Sequence, residues 1–462
     1  MKNWKRFISA VLSAALLCGA APGGFAQEIE PGWKVGFARR QIELPENSGE
    51  PLYISGYNSG WEITGLLDLC EARALWLDAG NGGVLLIGID CIALDSGTVN
   101  EIRAAIGEIP GCLAVNVYAT HTHAGPDTLG LWGPTGVNGK NSEYMKNLIS
   151  AAAEAGKEAA ANVKQGRLYF GYAETKNMFR DSRFPEVFDP NLYQLRFEAA
   201  DGSAGTRLYF YGAHAESLRG SNTLVSRDFP GRLCDAMAEF TGDNTMFASS
   251  PAGGLIMTKE FVTTANSSLA VKNLETTSEK LIEYAKSITP DTERELKPSL
   301  QFSRTAFTVP LDNPAFALYK FLGILNNKAV SADSATGHGV ETELCVLMLD
   351  NLAVTLMPGE IFPELVSGEK YGDANPDGVN PRPLMEIAKE NGIDQMILIG
   401  LCNDELGYIV PPSDFLLNEK APYIERTMDK LGEDHYEETN SVGPACAQCI
   451  ADAFETAVKN LK

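Results

Sequence analysis

From Trp33 onward, short runs of apolar and β-branched residues alternate with amphipathic stretches, and neither a low-complexity linker nor an internal repeat interrupts them. That alternation constrains the fold most: it predicts an α/β chain in which mixed β-sheets are flanked by α-helices within a single large domain. Residues 84–89 and 113–118 read as buried strands, and 99–109 between them reads as the helix of a βαβ crossover. An Ala-, Glu- and Lys-rich helix is expected over 142–163, followed by a strand at 168–172. Further strands are expected at 207–211, 343–348 and 352–357, antiparallel ones at 192–198 and 300–308, and a last helix over 445–461.

The N-terminal residues read differently. Lys2, Lys5 and Arg6 precede an apolar run from Phe7 to Ala21, and Gly24-Phe25-Ala26 offers the small residues a signal peptidase reads. Residues 1–26 are therefore expected to be a secretory signal, leaving 27–462 as the functional domain, secreted or exported to the cell surface. The run is shorter than the ~20 residues a membrane-spanning helix needs, so no stable membrane insertion is expected once the signal is cleaved. Lys+Arg 38 against Asp+Glu 60 gives a net charge of -22. Such a surface repels phosphate backbones, which excludes nucleic acid as a partner. Cys18 falls in the signal; most of the other eight cysteines are expected to be small core residues, the helically spaced Cys446 and Cys449 included.

The chain has five histidines, and His121, His123 and His214 stand where a strand gives way to a loop. In A-T-H-T-H-A-G-P, residues 119–126, the two imidazoles are two positions apart, so in extended backbone they would face one cavity. A metallo-β-lactamase pattern wants an acid two places after the second His, where Gly125 stands. A TIM-barrel amidohydrolase carries H-x-H on its first strand, and here at least two strands come earlier. His214 follows a strand in F-Y-G-A-H-A-E-S, residues 210–217. Glu360 emerges from L-A-V-T-L-M-P-G-E-I, residues 352–361, and Tyr408 from L-C-N-D-E-L-G-Y, residues 401–408. His338 and His435 have no assigned role and are expected in exposed loops.

Taken together and in this order, these segments resemble the neutral/alkaline non-lysosomal ceramidase family. The resemblance runs from about Gly36 to the terminal helix and includes N-T-L-V-S at 222–226, G-L-C-N at 400–403, Tyr436-Glu437 and Gly443-Pro444. It implies a zinc-dependent hydrolase of C–N amide bonds, with His121, His214, Glu360 and Tyr408 as metal ligands. Zinc suits such ligands and lowers the pKa of a bound water to ~7, which allows attack on an amide at neutral pH. The resemblance further implies that His123 stabilises the transition state, that Tyr436 is a catalytic tyrosine, and that an arginine in K-N-M-F-R-D-S-R, residues 176–183, takes part. Arg183 is assigned that role, with Arg180 the competing register.

Two departures qualify what is implied. A family segment of the type G-D-x-S-P-N, whose serine has been given a part in the reaction, corresponds to S-S-P-A-G-G-L-I-M at 249–257, with Ile256 in place of the serine. The family's C-terminal immunoglobulin-like domain is expected to be missing after the terminal helix. Ceramide is thus one expected substrate and a related N-acyl compound another. The alternatives are a non-catalytic exported binding protein of the same fold, or a zinc esterase or phosphoesterase.

Overall fold

Aliphatic side chains fill both faces of the central strands, so each sheet must be covered twice. A computed structural model describes residues 32–46, 49–262 and 267–461; the expected export signal lies outside them. The first sheet contains β1 (Trp33–Gln41), β2 (Glu71–Asp78), β3 (Gly83–Ile89), β4 (Cys112–Ala119), β5 (Val163–Glu174), β6 (Asn191–Ala199), β7 (Thr206–Tyr211), β8 (Asn244–Ser249) and β9 (Arg294–Leu296). Its order is β8-β7-β6-β5-β1-β2-β3-β4, with β9 also on β5. The pairs β3/β4 and β7/β8 are parallel and the others antiparallel, so the sheet is mixed as expected. The second sheet is β10 (Leu300–Leu311), β11 (Lys328–Ser331), β12 (His338–Leu349), β13 (Leu352–Leu356) and β14 (Gln395–Ile399), in the order β10-β12-β13-β14, with β11 on β12.

Period-two alternation decides what each face meets. Val84 and Leu86 of β3 join Leu347, Val354 and Ile399 of the second sheet in one core, while Leu85, Ile87 and Ile89 pack under α1 (Ser96–Ile106) and α2 (Ser142–Ala161). Beside them, α3 (Asp228–Thr241) and α4 (Ser267–Ser287) cover Tyr209, Tyr211 and Phe247. The elements α5 (Pro314–Phe321), α6 (Pro363–Ser367), α7 (Leu384–Glu390) and α8 (Cys446–Lys459) belong to the second half of the chain. There α7 and α8 cover the outer face of the second sheet at Leu344, Val346 and Leu398. The result is a helix/sheet/sheet/helix stack.

Helix starts follow from capping. Asp95 accepts the Thr98 N–H at 2.8 Å, and Asn141 accepts those of Glu143 and Tyr144. The cysteines behave as expected: all eight in the described residues are free thiols, with Cys112 and Cys449 alone partly exposed. Cys446 and Cys449 both lie on α8.

The sheets are stitched together at the ends where they will present functional groups. Tyr118 bridges to Cys402, and the Asn403 side chain accepts the Val117 N–H at 2.9 Å. The carboxyl end of β4 is thereby brought to those of the parallel pair β13/β14, the place where α/β proteins build crevices.

Candidate metal centre

Three strand ends and one loop converge on a single point. β4 ends at Ala119, and the chain turns through His121, whose φ of 65° is left-handed. The two imidazoles of 121 and 123 therefore do not meet through regular extended backbone as the spacing suggested. The turn brings them together instead, with ring centroids 4.8 Å apart. A left-handed non-glycine residue costs about 1–3 kcal/mol and persists where the surroundings over-determine it. Here Thr122 N–H donates to the Cys91 carbonyl and His123 N–H to that of Ala215. His214 follows β7 and bridges to Met257. Glu360 and Tyr408 are register partners in a pair of two-residue parallel strands, Glu360–Ile361 and Tyr408–Ile409.

The orientation of the imidazoles decides what they can do. His121 Nδ1 lies 2.8 Å from the Ile92 carbonyl, and His214 Nδ1 2.8 Å from the Ile256 carbonyl. A carbonyl only accepts, so each Nδ1 carries the proton and each Nε2 presents its lone pair. Both Nε2 atoms face the same carboxylate oxygen: Glu360 Oε2 is 3.1 Å from His121 and 2.9 Å from His214. That oxygen is buried and has no hydrogen-bond partner. The Tyr408 hydroxyl is 3.4 Å from His214 Nε2. Three electron-rich atoms thus close on one point without a proton between them.

Such an arrangement fits a cation. Two ligands at 2.0–2.1 Å on a tetrahedral zinc are about 3.3 Å apart, near the separations seen here. Protonating both imidazoles would also relieve the clash, but it would bury two like charges side by side. Burial pushes the Glu360 carboxyl up; only positive charge, on His121 and His214 or on a cation between them, holds it well below the usual carboxylate range. For Tyr408 burial and then the Glu360 charge work together and hold the phenol protonated well above its ordinary range.

His123 is the third imidazole. The ligand atoms of His121, His123 and His214 all lie within 4.8 Å of one another, and His123 Nε2 is 3.3 Å from His121 Nε2. His123 Nδ1 is buried without a hydrogen bond, 3.8 Å from Glu216 Oε2. Glu216 also accepts the Tyr57 hydroxyl, and Tyr57 packs edge-on against the His123 ring. Neither Tyr57 nor Glu216 was picked out from the sequence, although Glu216 stands only two places after His214. Gly56 is required at this spot: with φ 109°, a Cβ there would lie 2.7 Å from the His123 ring.

The other assigned residues separate. Tyr436 stands near the centre, its ring 6.4 Å from that of Tyr408, and lines the same chamber. Arg183 does not line that chamber: its Nε donates to Asp414 at 2.9 Å, Nη1 to Glu437 at 3.0 Å, and Nη2 to Glu438 at 2.8 Å and the Asp414 carbonyl at 2.6 Å. With its nitrogens so committed, it holds the segment that carries Tyr436 in place. Arg180 is exposed on a two-residue strand paired with Met257. His435, expected in an exposed loop, is instead buried, because its Nδ1 sits 2.8 Å from Arg183 Nη2 and 2.9 Å from Glu438. His338 is exposed as expected, though at the start of β12. Ile256, at the place of the family serine, contributes its carbonyl to both the backbone and the ring of His214.

His121, Glu360 and Tyr408 open into a chamber of about 100 Å³, walled by Leu129, Leu131, Trp132, Phe316 and Leu325 among others. It is an apolar cavity with a polar end.

No family model matches the sequence, and no curated protein does. Among solved structures the chain is similar to neutral ceramidase from Pseudomonas aeruginosa, with a TM-score of 0.69 and 15% identity over 93% of this chain and 74% of that one. A structure described as ceramidase complexed with C2 gives a TM-score of 0.67, again at 15% identity, over 93% of this chain and 75% of the other. The chain has the neutral ceramidase fold. The polar end of the chamber lies beyond the carboxyl ends of β4 and β13.

Proposed function

We propose that the protein is an exported zinc-dependent amide hydrolase of the neutral ceramidase type, acting on ceramide or a related N-acyl lipid. The observation that carries this reading is the buried, unpartnered Oε2 of Glu360 facing two imidazole lone pairs. His121, His214 and Glu360 would hold the metal, with the Tyr408 hydroxyl beside them. Zinc bound there would supply Lewis acidity at neutral pH.

The remaining residues each have a task that their positions support. His123 Nε2 points at the same centre and can donate to an oxygen that gains charge as the carbonyl is attacked. The apolar walls suit an acyl chain and keep water from the reacting carbonyl. Tyr436 stands at the half-exposed side, where a head group would pass. Export rests on the signal-like composition of residues 1–26.

Metal analysis and turnover test the reading together. Reconstituted protein is expected to hold about one equivalent of zinc and to cleave N-acyl substrates only in the absence of chelator. His121→Ala is expected to lose both properties. Less than about half an equivalent in the wild type, with His121→Ala no different, removes the metal site. Affinity for an N-acyl lipid without chelator-sensitive turnover would make the protein a binding protein of this fold.

A further inference from the structure

Hydrolysis of an amide needs more than attack at carbon. The nitrogen of an alkylamide leaves only if it is protonated as the C–N bond breaks, because an amide anion is too basic to depart in water. None of the residues given a task above is assigned that proton: His121, His214, Glu360 and Tyr408 surround the metal position, His123 faces the oxyanion, and Tyr436 stands at the half-exposed side.

Among the described residues lining the chamber, the carboxyls are Glu360 and Glu405. Glu405 precedes Tyr408 in the loop that follows β14. Its Oε1 accepts the Gly407 N–H at 2.6 Å, while its Oε2 is buried without a hydrogen-bond partner. The backbone behind it is fixed, since Asn327 Nδ2 donates to the Glu405 carbonyl at 3.2 Å and to Asp404 Oδ1 at 2.6 Å. A carboxyl pinned through one oxygen, with the other buried and unpaired beside an apolar chamber, is held ready to pass a proton to a substrate atom that packs against it. Burial favours its protonated form.

We propose that Glu405 Oε2 is the proton donor to the leaving nitrogen, a role that rests on the amide-hydrolase reading above. As the water oxygen bonds to the acyl carbon and the C–N bond breaks, the electron pair of that bond stays on nitrogen and takes the proton from Glu405. The carboxylate then recovers the proton shed by the attacking water. A carboxylic acid and an amine are released, and nothing is oxidised or reduced.

The leaving group distinguishes this role from a structural one. Zinc-loaded wild type and Glu405→Gln are compared on an N-acyl alkylamide and on the p-nitrophenyl ester of the same acyl chain, since p-nitrophenolate needs no proton to leave. Glu405→Gln is expected to lower kcat on the amide by about 100-fold or more while the ester changes by less than about 3-fold, with KM and zinc content kept. Glu405→Asp, which retains the carboxyl one methylene further back, is expected to lose less on the amide and serves if the Gln variant does not fold. Equal losses on amide and ester in either folded variant, or amide cleavage by folded Glu405→Gln within about 3-fold of wild type, overturn the assignment. A zinc-loaded wild type that cleaves no amide removes the hydrolase reading and this role with it, whereas a wild type that cleaves and a Gln variant that cleaves equally well removes Glu405 alone.

Discussion

Arg183 shows what a single buried charge does in this molecule. Asp414, Glu437 and Glu438 surround its guanidinium, and the side chain is 3% exposed. Removing the arginine would leave three carboxylates facing one another out of reach of solvent, so Arg183→Met is expected to cost about 3–5 kcal/mol. Chemical denaturation reads this directly, and a loss under about 1 kcal/mol would mean the network relaxes freely. The sequence places Arg183 close to functional residues because it stands near motifs that resemble a family, but spacing cannot tell an arginine that touches substrate from one that fixes Tyr436. The same limit applies to His435, whose burial follows from partners at 183 and 438 that only the fold brings together. His121, His214, Glu360 and Tyr408 were legible because each leaves a recognisable apolar strand or turn. Glu216 and Glu405, in H-A-E and N-D-E-L-G-Y, look in sequence like ordinary solvated acids.

At the scale of elements, alternation and composition were enough where a segment is buried uniformly. The run 84–89 is apolar throughout because β3 lies between helices and the second sheet, and α2 shows as an alanine-rich block ending near residue 161. α4 has no such signature: Ala270, Leu274, Leu281 and Ala285 face the core, but Thr277 and Ser278 are buried among them and dilute the apolar spacing. Small residues let α2 lie directly on β1, where a Cβ on Gly36 would come within 1.9 Å of the Ala159 carbonyl. Since that obstacle is backbone, Gly36→Ala is expected to destabilise by at least about 1–3 kcal/mol, seen as a lower Tm. A second junction is pH-dependent. Asp404 Oδ1 accepts the Ser96 N–H at the start of α1 at 2.8 Å, Oδ2 has no partner, and burial pushes the carboxyl up to about 7. In the unfolded chain the group titrates near ~3.9, so the folded form holds its proton more tightly. Its contribution is therefore present in full below about pH 4 and is lost as pH rises to about 7, beyond which the curve is flat. Asp404→Asn is expected to flatten stability over that window; an unchanged slope would show that Asp404 stays charged.

Across the whole molecule, the centre joins two sheets that also meet through apolar side chains and through the bridge between Tyr118 and Cys402. His121 and His214 leave the first sheet, while Glu360 and Tyr408 follow strands of the second. No periodicity in the sequence relates residue 121 to residue 408; their meeting is a consequence of topology, which the family resemblance implied and local pattern could not. Metal at this point would cross-link the stack, and anything that binds the folded state alone stabilises it by RT ln(1 + [L]/Kd), about 4 kcal/mol at a thousandfold excess over Kd. Zinc is accordingly expected to raise Tm by several degrees and to slow amide exchange at both 120–123 and 357–361. Slower exchange on one side only would place the metal on a single sheet. Eight free thiols among the described residues offer zinc other ligands, so a rise in Tm would not by itself locate the metal. The control is His121→Ala, in which both the thermal shift and the paired protection should vanish; a shift that persists there belongs to the cysteines and leaves the two sheets without their cation.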